Sequence, residues 1–114
     1  MTPDDLFARL AALGIETTTH RHAPVFTVEE SKARRGDLPG GHCKTLFLKD
    51  KKGVLWLVVM AEDRHIPMKD LRRRIGAATL SFAKPDLLIE VLGVEPGSVT
   101  PFALVNDTAR RVNV

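Results

Sequence analysis

The segment of this 114-residue chain best suited to binding chemistry is a loop rich in glycine and proline, residues 93–102, with the sequence GVEPGSVTPF. Glycine lets a ligand approach the main chain closely, and proline fixes φ and lacks an N–H group. The remaining N–H groups, on Gly97, Ser98, Val99 and Thr100, could point into a pocket that binds an anionic or carbonyl oxygen. Spacing alone favours the alternative interpretation, a plain connection between a helix and a strand.

Lys44 is the second candidate, because it interrupts an apolar run, residues 42–48, with the sequence HCKTLFL. A lysine in such a strand either faces a polar cavity or reaches the surface along its aliphatic stem. The competing interpretation is an edge-strand lysine that discourages aggregation. Thr45 falls on the opposite face of the same strand, where the pattern alone predicts a β-forming residue.

Other polar residues fit structural roles as readily as chemical ones. His22 could act as a base or stack on a nucleotide base, but a hydrogen-bonded structural histidine is the simpler interpretation, and Thr27 is expected to cap a helix. Ser98 lacks the GxSxG pattern of a nucleophilic serine. The three arginines at 72–74 form a solvated helix face or meet a phosphate backbone, and the sequence has no P-loop or dinucleotide fingerprint.

The composition is that of one globular domain with a mildly basic surface. The formal net charge is +3, with 44% hydrophobic and 27% charged residues, which permits a polyanionic partner without requiring one. The single Cys43 excludes an internal disulfide, and the histidines lack ligand spacing, so we expect no metal site. No apolar run approaches the roughly 20 residues that span a membrane, and the acidic, amphipathic N-terminus is unlike a secretion signal; we expect a cytoplasmic protein.

The elements that must position these residues alternate irregularly between helix and strand. Thr2 and Gly14 are expected to bound a first helix. Helices are also predicted from Thr27, from Pro67 and over 87–92, and strands over 15–22, 43–48, 54–60 and 79–82 and from residue 111. The two central strands form a hairpin with a charged turn. This pattern predicts a mixed sheet with helices packed around it, an α+β or α/β layered domain.

Three segments, in this order, carry a resemblance to a known family: HRHAPVFTVEES, GDLPGGHCKTLFLKDKKGVLWLVV and LSFAKPDLLIEVLGVEPGSVTPFALVND. They resemble the stand-alone relatives of the editing (insertion) domain of bacterial prolyl-tRNA synthetase, and most of all the deacylases that clear alanine from tRNA(Pro). The resemblance spans nearly the whole chain. It implies one deacylase domain over residues 1–114, with a mixed, curved β-sheet flanked by helices. It also implies hydrolysis of the ester that joins a wrong amino acid to the tRNA 3′ end, without a metal or a nucleotide cofactor.

The resemblance also implies site residues. We expect Lys44, Gly97 and Ser98 to be catalytic: Lys44 would hold the phosphate or ribose of the terminal adenosine, and the N–H groups of the loop would bind the aminoacyl carbonyl. Water would be the nucleophile, activated by the neighbouring ribose hydroxyl. The implied substrate-binding residues are His22, Val25, Phe26, Thr27, Thr45, Gly93, Pro96, Val99, Thr100 and Pro101.

The chain departs from the family pattern in two places. Many alanine-specific members have Asn where this chain has Thr45, and members continue beyond residue 114 through a strand and a C-terminal helix, which this sequence is therefore expected to lack. The expected partner is mischarged tRNA(Pro), with prolyl-tRNA synthetase or an elongation factor as further candidates, and the expected state is a monomer or a strand-exchanged dimer. Two alternatives stay open: a deacylase for cysteine, serine or threonine esters, and a catalytically silent module that binds tRNA or synthetase.

Overall fold

The structure, a computed structural model, describes residues 2–21 and 40–114. Its first helix, α1, spans Pro3–Ala12 and begins at the predicted cap, Thr2. The Thr2 hydroxyl accepts a hydrogen bond from the Asp5 N–H at 3.2 Å, and the Asp5 carboxylate accepts one from the Thr2 N–H at 3.0 Å. This reciprocal pair is a capping box. The Thr2 N–H, with help from the Thr2 hydroxyl, lowers the pKa of Asp5.

In the described part of the chain, four strands form one mixed sheet in the order β3-β1-β2-β4. The predicted hairpin is confirmed: β1, Cys43–Asp50, pairs antiparallel with β2, Leu55–Ala61. On the other side of β1, strand β3, Leu80–Phe82, is also antiparallel, whereas β4, Val112–Asn113, runs parallel to β2. Helices flank this sheet, so the predicted fold class is confirmed.

Three helical segments follow the hairpin. Helix α2, Met68–Ile75, starts after Pro67 as predicted and ends at Gly76, which adopts the left-handed conformation with φ 73°. Helix α3, Pro85–Leu92, begins at Pro85, a residue that suits the first helical turn. A 3-10 helix, Pro101–Asn106, follows the glycine–proline loop.

Helices α2 and α3 cover opposite faces of the sheet. On one face, Leu71 of α2 packs against Leu48 and Leu80. On the other face, α3 and the 3-10 helix pack against the remaining strand residues, and the buried members of that cluster are Phe47, Leu55, Leu57, Leu88, Val91, Leu92 and Ala103. Because successive strand residues point to opposite faces, odd-numbered residues of β1 face α3 and even-numbered residues face α2.

Asp50 fixes the hairpin turn. Its buried carboxylate accepts the N–H groups of Lys52 at 2.9 Å and Val54 at 3.0 Å, together with those of Ala78 at 3.3 Å and the Trp56 indole at 3.5 Å. Burial alone would raise the pKa of this carboxyl, but these four donors outweigh it and the net pKa is lowered. One side chain therefore ties the turn to β2 and to the segment before β3.

One predicted strand is wrong where it can be compared with the structure. Residues 15–21 have no regular structure and are exposed. Threonine-rich sequence favours a strand only when a partner strand offers hydrogen bonds, and no described residue pairs with this segment. The helix predicted from Thr27 lies outside the described residues. Within the described ranges, no helix has the length and apolar character needed to cross a membrane.

Candidate functional site

The glycine–proline loop is held at both ends by helix termini. At its start, α3 ends on Gly93, which has φ 67° and donates its N–H to the Ile89 carbonyl at 3.0 Å. At its end, Thr100 caps the 3-10 helix, because its hydroxyl accepts the Phe102 N–H at 3.3 Å. Glycine is a preferred residue at helix C-termini and threonine at helix N-termini, so both ends follow from the residue types in the sequence.

A tight turn shapes the middle of the loop. The Ser98 N–H donates to the Glu95 carbonyl at 3.0 Å, and Gly97 has φ 88°. Proline followed by glycine with positive φ is typical of a type II turn. The turn therefore uses the Ser98 N–H, which corrects the expectation that this group is available to a substrate. Within residues 2–21 and 40–114, the N–H groups of Gly97 and Val99 make no hydrogen bond.

A cavity of about 300 Å³ separates this loop from strand β1. We call it the loop cavity. Its lining residues are Thr45, Leu46, Phe47, Phe82, Ala83, Pro85, Leu88, Pro96, Gly97 and Val99. None of these carries a charge, and Thr45 has the only polar side chain among them. The structure thus brings together four of the predicted site residues, Thr45, Pro96, Gly97 and Val99, around one uncharged cavity. For two of them, Gly97 and Val99, the N–H group makes no hydrogen bond within the described residues.

Lys44 lies on the other face of the sheet. Its position in β1 places it with the even-numbered residues that face α2, and its ammonium group donates to the Arg64 carbonyl. The side chain is half-buried. The lysine thus links β1 to the segment that follows β2, and its ammonium group does not border the loop cavity in this conformation.

Three further predicted residues line a second cavity, of about 320 Å³, between the loop and α1. Gly93, Ser98 and Thr100 contribute to it, opposite Leu6 and Phe7 of α1. Ser98 therefore sits behind the loop and not in the loop cavity. Pro101 begins the 3-10 helix.

Asn106 is a positioning residue that sequence reasoning missed. Its side-chain amide donates to the Leu92 carbonyl at 2.9 Å. The bond joins the last residue of α3 to the last residue of the 3-10 helix, the two elements between which the glycine–proline loop runs. The approach is close: a Cβ atom on Gly93 would lie 3.2 Å from Asn106 Nδ2. The sequence pattern indicated only a turn at Asn106, because a partner 14 residues away depends on how α3 and the 3-10 helix pack.

The remaining predicted residues, His22, Val25, Phe26 and Thr27, lie outside the described residues. Among the residues that are described, no group of three or more His, Cys, Asp or Glu side chains is placed to hold a metal ion. The described part of the site therefore consists of backbone donors, one hydroxyl and apolar walls.

Comparison with known proteins identifies the family. Residues 22–114 match the family described as "Aminoacyl-tRNA editing domain". The chain is 48% identical over 103 residues to "Prolyl-tRNA synthetase associated domain-containing protein 1" of Danio rerio, covering 90% of this chain and 56% of that protein. It is 45% identical over 102 residues to the Bos taurus protein of the same name, covering 87% and 60%. The chain thus spans a little over half the length of these relatives.

A further relative supports this assignment, and a solved structure shares the fold. "Prolyl-tRNA editing protein ProX" of Acetoanaerobium sticklandii is 38% identical over 110 residues, covering 96% of this chain and 67% of that protein. A crystal structure described as hypothetical protein APE2540 matches the fold with a TM-score of 0.68 at 23% identity, covering 94% of this chain and 69% of the other. The chain belongs to the aminoacyl-tRNA editing domain family.

Proposed function

We propose that the chain hydrolyses the ester of mischarged aminoacyl-tRNA(Pro), with Ala-tRNA(Pro) as the preferred substrate. The observation that carries this proposal is the loop cavity, an uncharged space lined by Thr45 and by Gly97 and Val99, whose N–H groups make no hydrogen bond in the described part of the chain. The family assignment and the name of the bacterial relative support the reaction class. A small apolar side chain suits apolar walls, because burying it requires no polar partner.

The chemistry needs few groups, because an aminoacyl ester is already reactive. Water attacks the carbonyl carbon, negative charge develops on the carbonyl oxygen, and the bond from that carbon to the ribose oxygen breaks to give a free amino acid and a tRNA hydroxyl. In the proposed arrangement, the N–H groups of Gly97 and Val99 stabilise the oxyanion, a contribution for which loss of one donor typically costs about 10²–10³ in rate. The neighbouring ribose hydroxyl accepts a proton from the attacking water and passes its own proton to the departing ribose oxygen, so the proton count balances.

Lys44 retains its predicted role in this proposal, as a contact to the terminal phosphate or ribose. It is the second residue of β1, at the end of the sheet, and its long stem can move the ammonium group away from the Arg64 carbonyl. The test is deacylation of Ala-tRNA(Pro) by Lys44→Ala beside Lys69→Ala, which removes an exposed lysine of α2. We expect loss of turnover only in Lys44→Ala. Full turnover by a folded Lys44→Ala protein removes Lys44 from the mechanism.

The Thr45 hydroxyl supports a second candidate function, deacylation of serine, threonine or cysteine esters. A cavity with one hydroxyl can hydrogen-bond a polar side chain, and removing such a partner penalises the polar substrate far more than the apolar one. Thr45→Val keeps the shape and deletes the hydroxyl. If this variant loses activity on Ser-tRNA while activity on Ala-tRNA is unchanged, the second candidate is favoured; equal effects on both esters favour alanine.

A further inference from the structure

A groove lined by three lysines adjoins the loop cavity. It lies between α3 and the edge of the sheet formed by β1 and β3, and has a volume of about 850 Å³. Lys49, Lys51 and Lys84 line it, and all three are exposed. Phe82 and Ala83 line both this groove and the loop cavity, so the two spaces are direct neighbours. We call it the lysine groove.

Three carboxylates also line the groove, those of Asp50, Asp86 and Glu90, and each has a compensating partner or position. Asp50 faces inward and accepts four N–H groups. Glu90 lies 4.0 Å from Arg111, measured from Oε1 to Nη1. Asp86 is in the first turn of α3, where the positive end of the helix dipole offsets its charge. The groove region thus carries three lysines and Arg111 against these three carboxylates, and the exposed ammonium groups of the lysines can bind phosphate groups.

The outer edge of β3 adds backbone hydrogen-bonding groups. Lys51 donates its N–H to the Thr79 carbonyl, and Ala83 donates to the Phe47 carbonyl, both at 3.0 Å. In an antiparallel pair, every second residue directs its N–H and C=O groups away from the partner strand, and these two bonds show that Leu80 and Phe82 are the residues that do so. Leu80 and Phe82 therefore present backbone donors and acceptors at the edge, where a nucleotide base or a ribose hydroxyl can bind them.

The other strongly basic surface faces away from the loop cavity. Arg72, Arg73 and Arg74 are exposed on α2, which packs on the opposite face of the sheet from α3. A strand of RNA whose 3′ end enters the loop cavity passes along the α3 face and not over α2. The packing of α2 and α3 on opposite faces of the sheet therefore separates the lysine groove from the arginines of α2.

We propose that the lysine groove binds the single-stranded 3′ end of the tRNA and guides it into the loop cavity. This inference rests on the proposed function for its choice of RNA. Measuring RNA binding without turnover separates the groove assignment from the proposed function. A protein that binds RNA as expected but hydrolyses no ester refutes the proposed function and leaves the groove assignment standing.

The experiment measures dissociation constants for uncharged tRNA(Pro), and for a short single-stranded RNA ending in CCA, over a series of salt concentrations. Each lysine that neutralises a phosphate of a single strand contributes about 0.7 to the slope of log affinity against log salt. Replacing Lys49, Lys51 and Lys84 by Gln should therefore lower the slope by about 2 for both RNAs. The matched control replaces Arg72, Arg73 and Arg74 by Gln, and should keep the wild-type slope.

Three results overturn the groove assignment. The first is an unchanged slope and affinity in the lysine variant. The second is a loss of slope in the arginine variant instead, which moves the RNA to the α2 face. The third is a wild-type affinity that does not depend on salt for either RNA. All six substituted side chains are exposed, so melting temperatures near that of the wild type are expected and confirm that each variant is folded.

Discussion

The hydrogen bond from the Asn106 amide to the Leu92 carbonyl, which we call the Asn106 clamp, gives the sharpest test of how the loop cavity is built. Asn106→Ala removes the donor at 2.9 Å from the Leu92 carbonyl, and Leu92 is fully buried. Loss of one partner of a buried hydrogen bond costs about 1–3 kcal/mol, which lowers the melting temperature of a domain of this size by about 4 °C or more per kcal/mol. If the clamp also positions Gly97 and Val99, its loss lets these two residues move, and a displacement of about 1 Å in their N–H groups reduces the rate by about 10².

Asn113→Ala is the matched control, because it removes the same kind of bond, from a side-chain amide to a main-chain carbonyl, between β4 and β2. The Asn113 amide donates to the Leu55 carbonyl at 3.1 Å and joins β4 to β2. We expect similar losses of melting temperature in the two variants. Only Asn106→Ala should lose kcat, with KM for tRNA unchanged because the lysine groove is intact. The assay compares kcat on Ala-tRNA(Pro) at a temperature where both proteins are folded; equal kcat values in the two variants refute the positioning role.

Three further predictions concern the loop, the hairpin turn and the core. Gly97→Val should lose activity beyond any loss of stability, because it places a branched side chain in the loop cavity at φ 88°; a lower melting temperature with unchanged activity would make the loop purely structural. The pKa of Asp50 is below its ordinary value, so its stabilising effect is complete above about pH 4 and is lost as pH falls through the lowered pKa; urea midpoints from pH 7 to pH 2 should fall less steeply for Asp50→Asn, and identical curves would contradict this. Leu57→Ala should cost about 2–5 kcal/mol in urea unfolding, and a cost near zero would mean that the cluster beneath α3 does not stabilise the fold.

The sequence predicts the elements whose boundaries carry local signals. Pro67 and Gly76 bound α2, and Thr2 starts α1, because proline, glycine and threonine act through their own backbone and side-chain geometry. The hairpin of β1 and β2 follows from two apolar runs around a charged turn. The strand predicted from residue 15 is wrong over 15–21, since a strand also needs a partner that no local pattern supplies.

The candidate site is predictable in part for the same reason. The proline–glycine pair locates the loop, and the same pair, placed at the centre of a type II turn, already implies that the Ser98 N–H is used by the turn. The face on which Lys44 and Thr45 lie depends on which helix packs on each side of the sheet, and Asn106 depends on a contact across 14 residues. Both depend on tertiary packing, which cannot be read from the spacing of residues along the chain.

The most direct test of the proposed function is single-turnover deacylation of tRNA(Pro) charged in turn with alanine, serine, threonine, cysteine and proline, with the wild-type chain and with buffer alone. We expect Ala-tRNA(Pro) to be hydrolysed fastest, because the uncharged, largely apolar lining of the loop cavity suits an apolar side chain. We expect Pro-tRNA(Pro), the correctly charged tRNA, to be spared. Hydrolysis of every ester at the rate seen in buffer would contradict the proposal that the loop cavity is a deacylase site.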